Sequence, residues 1–353
     1  MKIVIAGGAG FVGSTLCLNL KTKYPKYQII AFDNLKRRGS ELNLIDFKKL
    51  GIDFVHGDIR NNEDLQALGA FDVLVEASAE PSVTAGLDSD PTYVINNNLF
   101  GSINCFNFCL KNKAKLIFLS TSRVYPIEAI EKANFIEQET RFAFASNQLT
   151  TGISEKGISE RLTLDGARSF YGTTKLSSEL FIQEYAAFYG LKAAITRFGV
   201  IAGPRQMGKT DQGVVTLWMA KHFWKQSLKY IGYGGTGKQV RDILHVDDLV
   251  ALIDLQIHEI EKFEGKIYNV GGGLENSASL QEMTAICEKI TGNKIEIGSE
   301  TETRTADLRM YVTDNSKIEA EIGWKPMKSV TNVFEDIYHW IIQNEQQLES
   351  ILK

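Results

Sequence analysis

Short apolar runs recur through the first 200 residues and alternate with longer segments of mixed polarity. Each apolar run predicts a buried strand. The predicted strands are 2–6, 28–32, 54–56, 73–77, 116–120 and 193–198. Helices are predicted between them, most clearly over 11–20, 98–110 and 173–188. Because strands and crossing helices alternate, we expect an α/β fold built on a doubly wound parallel sheet.

The pattern changes after Gly203-Pro204. A turn cluster at 232–237 and a glycine run at 271–273 punctuate shorter strands and helices, including a predicted strand at 267–270. We therefore expect two domains. The first spans residues 1–200 and also receives short returning segments at about 240–265. The second is a smaller, mainly C-terminal α/β lobe over 201–353, expected to close over the carboxyl edge of the sheet.

The composition is that of an ordinary globular protein, and a length of 353 residues suits about two domains. A net charge of −4 and no basic block argue against a nucleic-acid partner, and no apolar run is long enough to span a bilayer. Met1 leads straight into the first predicted strand, so we expect no signal peptide and a cytoplasmic location. The four cysteines lack metal-ligand spacing, which predicts reduced, buried thiols and no metal site.

A glycine-rich turn joins the first predicted strand to the first predicted helix. The segment Gly7-Gly8-Ala9-Gly10-Phe11-Val12-Gly13 lets backbone N–H groups approach a pyrophosphate at the helix N-terminus. The candidate contacts for a dinucleotide cofactor are Gly7, Gly10, Phe11, Val12 and Gly13. A glycine pattern alone has many false positives, so the prediction also depends on residues further along the chain.

An acidic residue ends the second predicted strand. Asp33 follows the glycine turn by about 20 residues, where a carboxylate accepts hydrogen bonds from the adenosine ribose hydroxyls. Its charge would repel a 2′-phosphate, which favours NAD over NADP. The run Lys36-Arg37-Arg38 is a counter-signal, because it could hold that phosphate. The alternative for Asp33 is a turn residue without a ligand.

The ends of the second, third and fourth predicted strands supply further candidate cofactor contacts. Asn34 follows Asp33, Asp58-Ile59 follows the third strand where the adenine edge would lie, and Ala77 ends the fourth strand. For Asp58 the alternative is the N-cap of a helix over 61–65, and one carboxylate could serve both roles.

A phenol and an ammonium stand four residues apart in the predicted helix 173–188 and the turn before it. Tyr171 and Lys175 share one helix face, and Thr121 ends the fifth predicted strand with a hydroxyl that can bond a substrate hydroxyl or ketone. A nearby ammonium and a positive nicotinamide ring favour the phenolate, which can then take a hydroxyl proton during hydride transfer. Lys175 would also hold the nicotinamide ribose. The alternative is a helix-surface pair without chemistry.

These motifs resemble the extended short-chain dehydrogenase/reductase family, which acts on nucleotide-activated sugars. The similarity runs essentially end to end. It is carried further by Phe32-Asp33-Asn34-Leu35, Arg38-Gly39, Phe54-Val55-His56-Gly57-Asp58-Ile59-Arg60-Asn61, Arg205-Gln206, Asp211-Gln212-Gly213, Gly237-Lys238-Gln239-Val240-Arg241-Asp242, Asn276-Ser277, Ser279-Leu280 and Asp307-Leu308-Arg309. The resemblance implies a tightly held NAD+ and inversion at C2 of a CDP-linked hexose, in a setting such as polysaccharide biosynthesis.

The resemblance also assigns roles to individual residues. Thr121, Tyr171 and Lys175 match the catalytic set, and Asn98 matches an asparagine that supports the active-site helix and the cofactor. The residues expected to face the sugar nucleotide are Thr121, Ser122, Arg123, Glu80, Gln206, Gln239, Arg241 and Arg304. Arg241 and Arg304 match arginines that neutralise the diphosphate. The alternative for Arg241 is an ion pair with Asp242 or Asp247, and for Arg304 a solvated loop charge.

Departures from the family pattern separate this chain from some relatives. Sugar-nucleotide 4,6-dehydratases carry an acid pair after the threonine, where this chain has Ser122 and Arg123. Glu76 stands where histidine is frequent, and Val200 stands where relatives have Asn or Ser. Glu80 stands where relatives have a neutral residue. Its alternative role is helix capping or ion pairing.

Several functions therefore stay open at the level of sequence. They are a 4-epimerase, a 2-epimerase acting on CDP-glucose or a UDP-sugar, a net reductase that releases its cofactor, and a non-catalytic binding protein. The last would be expected to lose the Tyr171–Lys175 pair, which this chain keeps. The resemblance also implies a homodimer or homotetramer, paired through the two long helices 98–110 and 173–188.

Overall fold

The computed structural model describes residues 1–87, 89–208 and 212–353. The strands are β1 Lys2–Ala6, β2 Gln28–Asp33, β3 Asp53–His56, β4 Val73–Glu76, β5 Lys115–Thr121, β6 Phe135–Glu137, β7 Phe142–Phe144, β8 Ile153–Ser154, β9 Gly157–Ile158, β10 Ala193–Phe198, β11 Val200–Ala202, β12 Leu228–Ile231, β13 Val240–His245, β14 Ile267–Val270, β15 Ser277–Ser279, β16 Ile297–Glu300 and β17 Met310–Tyr311. The α-helices are α1 Phe11–Lys23, α2 Asn43–Leu50, α3 Asn62–Gln66, α4 Thr92–Ile95, α5 Gly101–Asn112, α6 Ile127–Glu131, α7 Phe170–Tyr189, α8 Val214–Phe223, α9 Val246–His258, α10 Leu280–Thr291, α11 Ser316–Ile322, α12 Val330–Gln343 and α13 Glu345–Leu352.

The first of two compact units comprises Met1–Val124, Ser169–Arg197 and Leu249–Ile267. It is built on a seven-stranded sheet with the order β14-β10-β5-β4-β1-β2-β3. The pairs β1–β2, β2–β3, β1–β4 and β4–β5 are all parallel. The chain moves outward from β1 to β3 and then returns to the other side at β4. This reversal confirms the predicted Rossmann-type fold and opens a crevice at the carboxyl ends of β1 and β4.

The centre of this sheet is buried on both faces, which explains why its strands are continuous apolar runs. Val4, Leu74 and Leu116 contribute to one core from three neighbouring strands. Phe106 on α5 meets Phe118 on β5 edge-on, with ring centroids 5.9 Å apart. The packed core therefore fixes β4, β5 and α5, the elements whose ends carry the candidate site.

A π-helical segment, Asn96–Phe100, joins α4 to α5. The backbone N–H of Gly101 donates to the carbonyl of Asn96, five residues earlier, rather than to the residue four earlier. The predicted helix 98–110 is therefore the later part of a longer helical stretch that begins at Thr92. Helices of this kind frequently carry a π turn where a functional side chain must be re-aimed.

The second unit comprises Tyr125–Arg168, Phe198–Asp248 and Tyr268–Lys353. Its main sheet is mixed: β13 pairs with β11 and β17 in parallel and with β15 antiparallel. A separate parallel pair joins β12 to β16, and helices α8, α10 and α12 pack together. The sequence predicts a smaller, mainly C-terminal lobe over 201–353, but this unit also includes Tyr125–Arg168, does not include Leu249–Ile267 and is not smaller than the first unit.

All four cysteines are buried and unpaired, as predicted. Burial raises the pKa of the Cys17 and Cys109 thiols, so neither is a reactive thiolate. Across residues 1–87, 89–208 and 212–353, no helix combines the length and the apolar character needed to cross a membrane.

Candidate active site

The glycine turn forms a close-packed bend in front of α1. Gly7 has a φ of +74°, and a Cβ on it would lie 2.8 Å from the Cα of Ser78. A Cβ on Gly13 would lie 2.1 Å from the carbonyl oxygen of Gly7. Gly10 is the N-cap of α1 and no side chain caps that end. The N–H groups of Phe11, Val12 and Gly13 therefore form an open helix N-terminus suited to a pyrophosphate.

Asp33 fixes the shape of this turn. One carboxylate oxygen accepts from the N–H of Ala9 at 3.0 Å, and the other accepts from the N–H of Leu35 at 2.8 Å. Burial raises the pKa of this carboxyl despite those bonds. Asp33 thus ties the glycine turn to the end of β2, and its remaining lone pairs are available to the ribose hydroxyls, a role that stays a prediction.

Asp58 lies beside Asn34 at the carboxyl ends of β2 and β3. The amide of Asn34 donates to Asp58 at 2.9 Å, and the Arg60 guanidinium makes a forked contact with the same carboxylate. That contact holds the pKa of Asp58 well below its usual range. The N-cap alternative for Asp58 is wrong: α3 starts at Asn62 and its cap is Asn61, whose side chain accepts from Glu63.

The neighbouring cations lie against an aromatic ring. The Nζ of Lys36 is 3.0 Å from the ring centroid of Tyr93, and the guanidinium of Arg60 is 5.3 Å from it. Lys36, which supplied the sequence signal for a 2′-phosphate, therefore already has a cation–π partner. Ile59 is buried nearby against Gly101 and shapes the floor of this edge.

Asn98 clamps the chain after β4. Its side-chain oxygen accepts from the N–H of Glu80 at 2.7 Å, and its amide donates to the carbonyl of Glu80 at 2.9 Å. The Glu80 carboxylate accepts from Ser82 N at 3.3 Å, so it supports a turn rather than capping a helix. Ala77 donates its N–H to Ala6, which keeps its backbone against the glycine turn. Asn98 therefore holds the segment after β4 in place, and its support of the active-site helix and the cofactor stays a prediction.

Thr121, Ser122 and Arg123 lie at the carboxyl end of β5. Thr121 is the last residue of the strand, and its hydroxyl accepts from the N–H of Arg123 at 3.2 Å. Thr121 and Ser122 are both largely buried. The strand end therefore offers two hydroxyls at the sheet edge where a substrate hydroxyl would lie.

Helix α7 carries Tyr171 and Lys175 in its first two turns. Ser169 is the N-cap, and its hydroxyl accepts from the N–H of Gly172. Tyr171 is half-buried, whereas Lys175 is only 2% exposed. The surface-pair alternative is therefore wrong, because Lys175 points into the protein.

Glu76, the last residue of β4, is the partner of Lys175. The ammonium Nζ lies 3.3 Å from the carboxylate, and the glutamate is fully buried. Glu76 also accepts from the hydroxyls of Ser78 and Ser102. From the sequence, Glu76 is only a departure from the family pattern, and no site role is predicted for it. An acidic residue directly after the apolar run Val73-Leu74-Val75 is the pattern that could have indicated one.

In the second unit, two of the candidate substrate residues bond the protein itself. The Gln206 amide donates to the carbonyl of Ile201 and accepts from the hydroxyl of Thr216. Gln239 donates to the carbonyl of Ile231, while its side-chain oxygen is buried without a hydrogen-bond partner. Asp211, part of the Asp-Gln-Gly motif, lies outside the described residues.

Arg241 has an acidic partner that the sequence did not indicate. Its guanidinium donates to Asp307 at 2.7 Å and to the carbonyl of Leu308 at 2.7 Å. The expected alternative, a pair with Asp242 or Asp247, is wrong. The N–H of Asp307 donates to the carbonyl of Arg304 and closes a turn over residues 304–307. The exposed Arg304 is therefore in the same turn as the acidic partner of Arg241.

Asp242, next along β13, is buried. It accepts from the N–H groups of Gly273 and Thr313. Burial raises the pKa of this carboxyl to about 6. Successive side chains of a strand point to opposite faces, so Arg241 lies on the other face of β13, where Asp307 is its partner.

A second polar cluster lies where β13 meets α9. His245, Asp247 and Asp336 place potential ligand atoms within 4.8 Å of one another. The Lys328 ammonium lies 2.7 Å from Asp336 and 3.0 Å from Asp247, so a lysine supplies the positive charge at this point.

Comparison with known proteins identifies the family. Residues 3–271 match the model of the NAD dependent epimerase/dehydratase family. The chain is 30% identical to the CDP-paratose 2-epimerase of Salmonella typhi over 348 residues, which cover 96% of this chain and 99% of that protein. It is 25% identical to the UDP-glucose 4-epimerase of Rhizobium meliloti, with 98% of each chain covered. Bacillus cereus UDP-glucuronic acid 4-epimerase, solved with UDP-glucuronic acid and NAD, shares the fold with a TM-score of 0.77 at 24% identity, covering 97% of this chain and 99% of that chain.

The chain therefore belongs to the NAD dependent epimerase/dehydratase family. It is an NAD-dependent enzyme that acts on nucleotide sugars. The uncapped start of α1 and the glycine bend, which any Cβ would fill, fit the pyrophosphate of that cofactor.

Proposed function

We propose that this enzyme inverts C2 of a CDP-linked hexose, converting CDP-paratose to CDP-tyvelose. The observation that carries the proposal is the 30% identity to a CDP-paratose 2-epimerase across nearly the whole of both chains. Residues of the first unit bind NAD, and residues of the second unit bind the nucleotide sugar. The enzyme needs no external redox partner, because the hydride removed from the sugar is returned to it.

Tyr171 performs the proton transfer in this mechanism. When bound, NAD supplies the acceptor and later the donor of the C2 hydride. Tyr171 takes the proton of the C2 hydroxyl as the hydride leaves the same carbon, which gives a 2-keto sugar. The keto sugar then presents its opposite face, the hydride returns, and Tyr171 gives the proton back to the C2 oxygen.

Thr121 and Lys175 prepare this step. The Thr121 hydroxyl bonds the C2 oxygen and keeps it near the Tyr171 phenol. The buried Lys175 ammonium, one helical turn from Tyr171, holds the nicotinamide ribose. Asp33, Asn34, Asp58 and the glycine turn hold the adenosine half of the cofactor.

The second unit retains the intermediate through its diphosphate. Arg241 and Arg304 neutralise the two phosphates, and guanidinium forks suit that geometry. Retention by the diphosphate leaves the sugar ring free to turn over while the keto sugar stays bound.

Elimination of water is disfavoured in this site. Ser122 and Arg123 occupy the positions after Thr121 where dehydratases carry their acid pair. Without an acid and a base beside the sugar, oxidation is followed by return of the hydride.

The direct test is proton NMR of CDP-paratose incubated with the purified protein and no added cofactor. Inversion at C2 changes the H1–H2 coupling and creates a second anomeric signal. That signal is the expected result. Its absence would overturn the C2 assignment, and parallel incubations with UDP-glucose and CDP-glucose would then separate a 4-epimerase from a 2-epimerase with another donor.

Tyr171→Phe tests the proton transfer. The variant removes one hydroxyl, so we expect turnover to fall by about 10³-fold while NAD stays bound through purification. Tyr338→Phe, at a tyrosine of α12 that is half-buried like Tyr171, is the matched control and keeps full activity. Full activity of Tyr171→Phe would refute the assignment.

We also propose that the enzyme is a homodimer paired through α5 and α7. Exposed apolar side chains on α7 support this: Leu180, Phe181, Phe188 and Tyr189. Leu180→Glu is expected to halve the mass measured by light scattering during size-exclusion chromatography. Leu149→Glu, at an exposed leucine outside these helices, is expected to leave the mass unchanged.

A further inference from the structure

We propose that Glu76 is the positioning residue of the active site: it is the buried counter-ion that holds the Lys175 ammonium. This inference rests on the proposed role of Lys175. It concerns a residue that belongs to neither the glycine turn nor the Thr121, Tyr171 and Lys175 set.

The burial of the pair is the first argument. The Glu76 side chain is 0% exposed and the Lys175 side chain is 2% exposed, with 3.3 Å between Nζ and Oε2. A buried ammonium is strongly unfavourable unless an anion or hydrogen-bond acceptors compensate it. Among the residues that the structure describes, Glu76 is the carboxylate that contacts this ammonium.

The second argument is that Glu76 is itself rigidly held. One carboxylate oxygen accepts from both the N–H and the hydroxyl of Ser78, and the other accepts from the hydroxyl of Ser102 at 3.3 Å. Ser102 in turn donates to the carbonyl of Asn98. The carboxylate is therefore fixed from both β4 and α5 before it meets the lysine.

The third argument is where the ammonium is held. Glu76 on β4 and Phe118 on β5 are paired in register. The Nζ of Lys175 lies 4.5 Å from the centroid of the Phe118 ring, so it lies beside the end of β4 and the middle of β5. Thr121 ends β5 three residues later, and Tyr171 lies one turn before Lys175 on α7.

Together these contacts fix a long, flexible side chain in one arrangement. A lysine has four rotatable bonds, and ordering them at each turnover would cost free energy. Glu76 removes that cost by holding the ammonium before substrate arrives, so its effect reaches the reaction through Lys175 alone.

The test is a double-mutant cycle of Glu76→Gln, Lys175→Met and the double variant, with both unfolding and kinetics measured. We expect each single change to lower the urea midpoint, and the double variant to be at least as stable as the less stable single variant because neither charge is left unpaired. Glu179→Gln is the matched control. It breaks an equally buried pair with Arg197, and its loss should persist in the Lys175→Met background.

Kinetics separate positioning from a structural role. We expect Glu76→Gln to lower kcat by about 10²-fold with little change in KM, and to add nothing in the Lys175→Met background. Glu76→Asp keeps the charge and should recover part of kcat, which also covers the case in which Glu76→Gln fails to fold. Additive effects, or a change in KM alone, would overturn the proposal. Full activity of Lys175→Met would instead overturn the proposed role of Lys175, whereas no C2 inversion by the unaltered enzyme would overturn the proposed function.

Discussion

Two ion pairs in this enzyme each join a basic side chain to a carboxylate, but they differ in how far they are exposed to solvent. In the first unit, Lys175 and Glu76 are sealed from solvent at 2% and 0% exposure. In the second unit, the side chains of Arg241 and Asp307 are 13% and 25% exposed and approach to 2.7 Å. In each pair the basic residue is one that we expect to take part in binding or catalysis. Its acidic partner lies outside the glycine turn and the Thr121, Tyr171 and Lys175 set.

The difference in exposure separates a fixed pair from an exchangeable one. Water cannot replace Glu76, so separating that pair would leave a buried charge without compensation. Asp307 can return to water, so a diphosphate can take its place on Arg241 at little cost. A fixed pair keeps a residue beside the reacting atoms in one position, as we propose for Lys175. An exchangeable pair lets a residue bind and release a ligand, as we propose for Arg241.

We expect the largest effect on activity from Lys175→Met, which removes the cation of the buried pair. We expect kcat to fall by about 10³-fold or more, because the variant removes the ammonium proposed to hold the nicotinamide ribose beside Tyr171. Lys192→Met, which removes a half-exposed lysine of the first unit, is the control. Steady-state kinetics of both variants would check this, and a loss confined to KM would contradict it.

Asp242 extends the comparison to a buried acid that accepts hydrogen bonds from backbone N–H groups. Its pKa is raised to about 6 by burial, against an unfolded value near 4, so the folded protein binds the extra proton between those pH values. The stability that this proton contributes is present below about pH 4 and is lost as pH rises through about 6, a difference of about 2 to 3 kcal/mol. Asp242→Asn should remove that part of the slope in urea midpoints measured from pH 4 to 7.5. Parallel slopes for the two proteins would contradict the assignment.

Arg241→Met tests the exchangeable pair. We expect KM for the nucleotide sugar to rise by about 10- to 100-fold with kcat less affected, because a charged hydrogen bond contributes about 1.5 to 3 kcal/mol to binding. Lys229→Met removes an exposed lysine from the same unit and should leave KM unchanged. An effect of Arg241→Met on kcat alone would make the two pairs equivalent in role.

Asp307→Asn should have the smallest effect. The amide still accepts a hydrogen bond from Arg241, and a partly exposed pair contributes less than about 1 kcal/mol to stability. We expect the urea midpoint to change little and KM for the nucleotide sugar to fall or stay level. A destabilisation as large as that of Glu76→Gln would show that this pair is fixed as well.

The fold was predictable where local and global signals agree. The runs at 2–6, 193–198 and 267–270 match β1, β10 and β14 to the residue, because buried parallel strands are continuous apolar runs. The helix at 98–110 was placed less well, since no residue type marks a π turn. The short strands β8 and β9 were not predicted, because two-residue strands carry no periodic pattern.

The site was predictable for residues within one local motif and not for partners brought together by the fold. The glycine turn is read from consecutive residues, as is the spacing of Tyr171 and Lys175. Glu76 is 99 residues from Lys175, and Asp307 is 66 residues from Arg241. Such pairs follow from strand order and loop placement, which a single sequence does not encode in any local pattern.

The π turn at Asn96–Phe100 has a consequence for the evolution of this chain. A π turn holds one residue more than the same stretch of regular α-helix would. Deleting one residue there would restore an unbroken α-helix and rotate everything before it by about 100° relative to α5. Asn98 would then turn away from Glu80, and its carbonyl would lose the hydroxyls of Ser102 and Ser178. Length changes should therefore be tolerated in the surface loops of this lineage long before they are tolerated between Thr92 and Asn112.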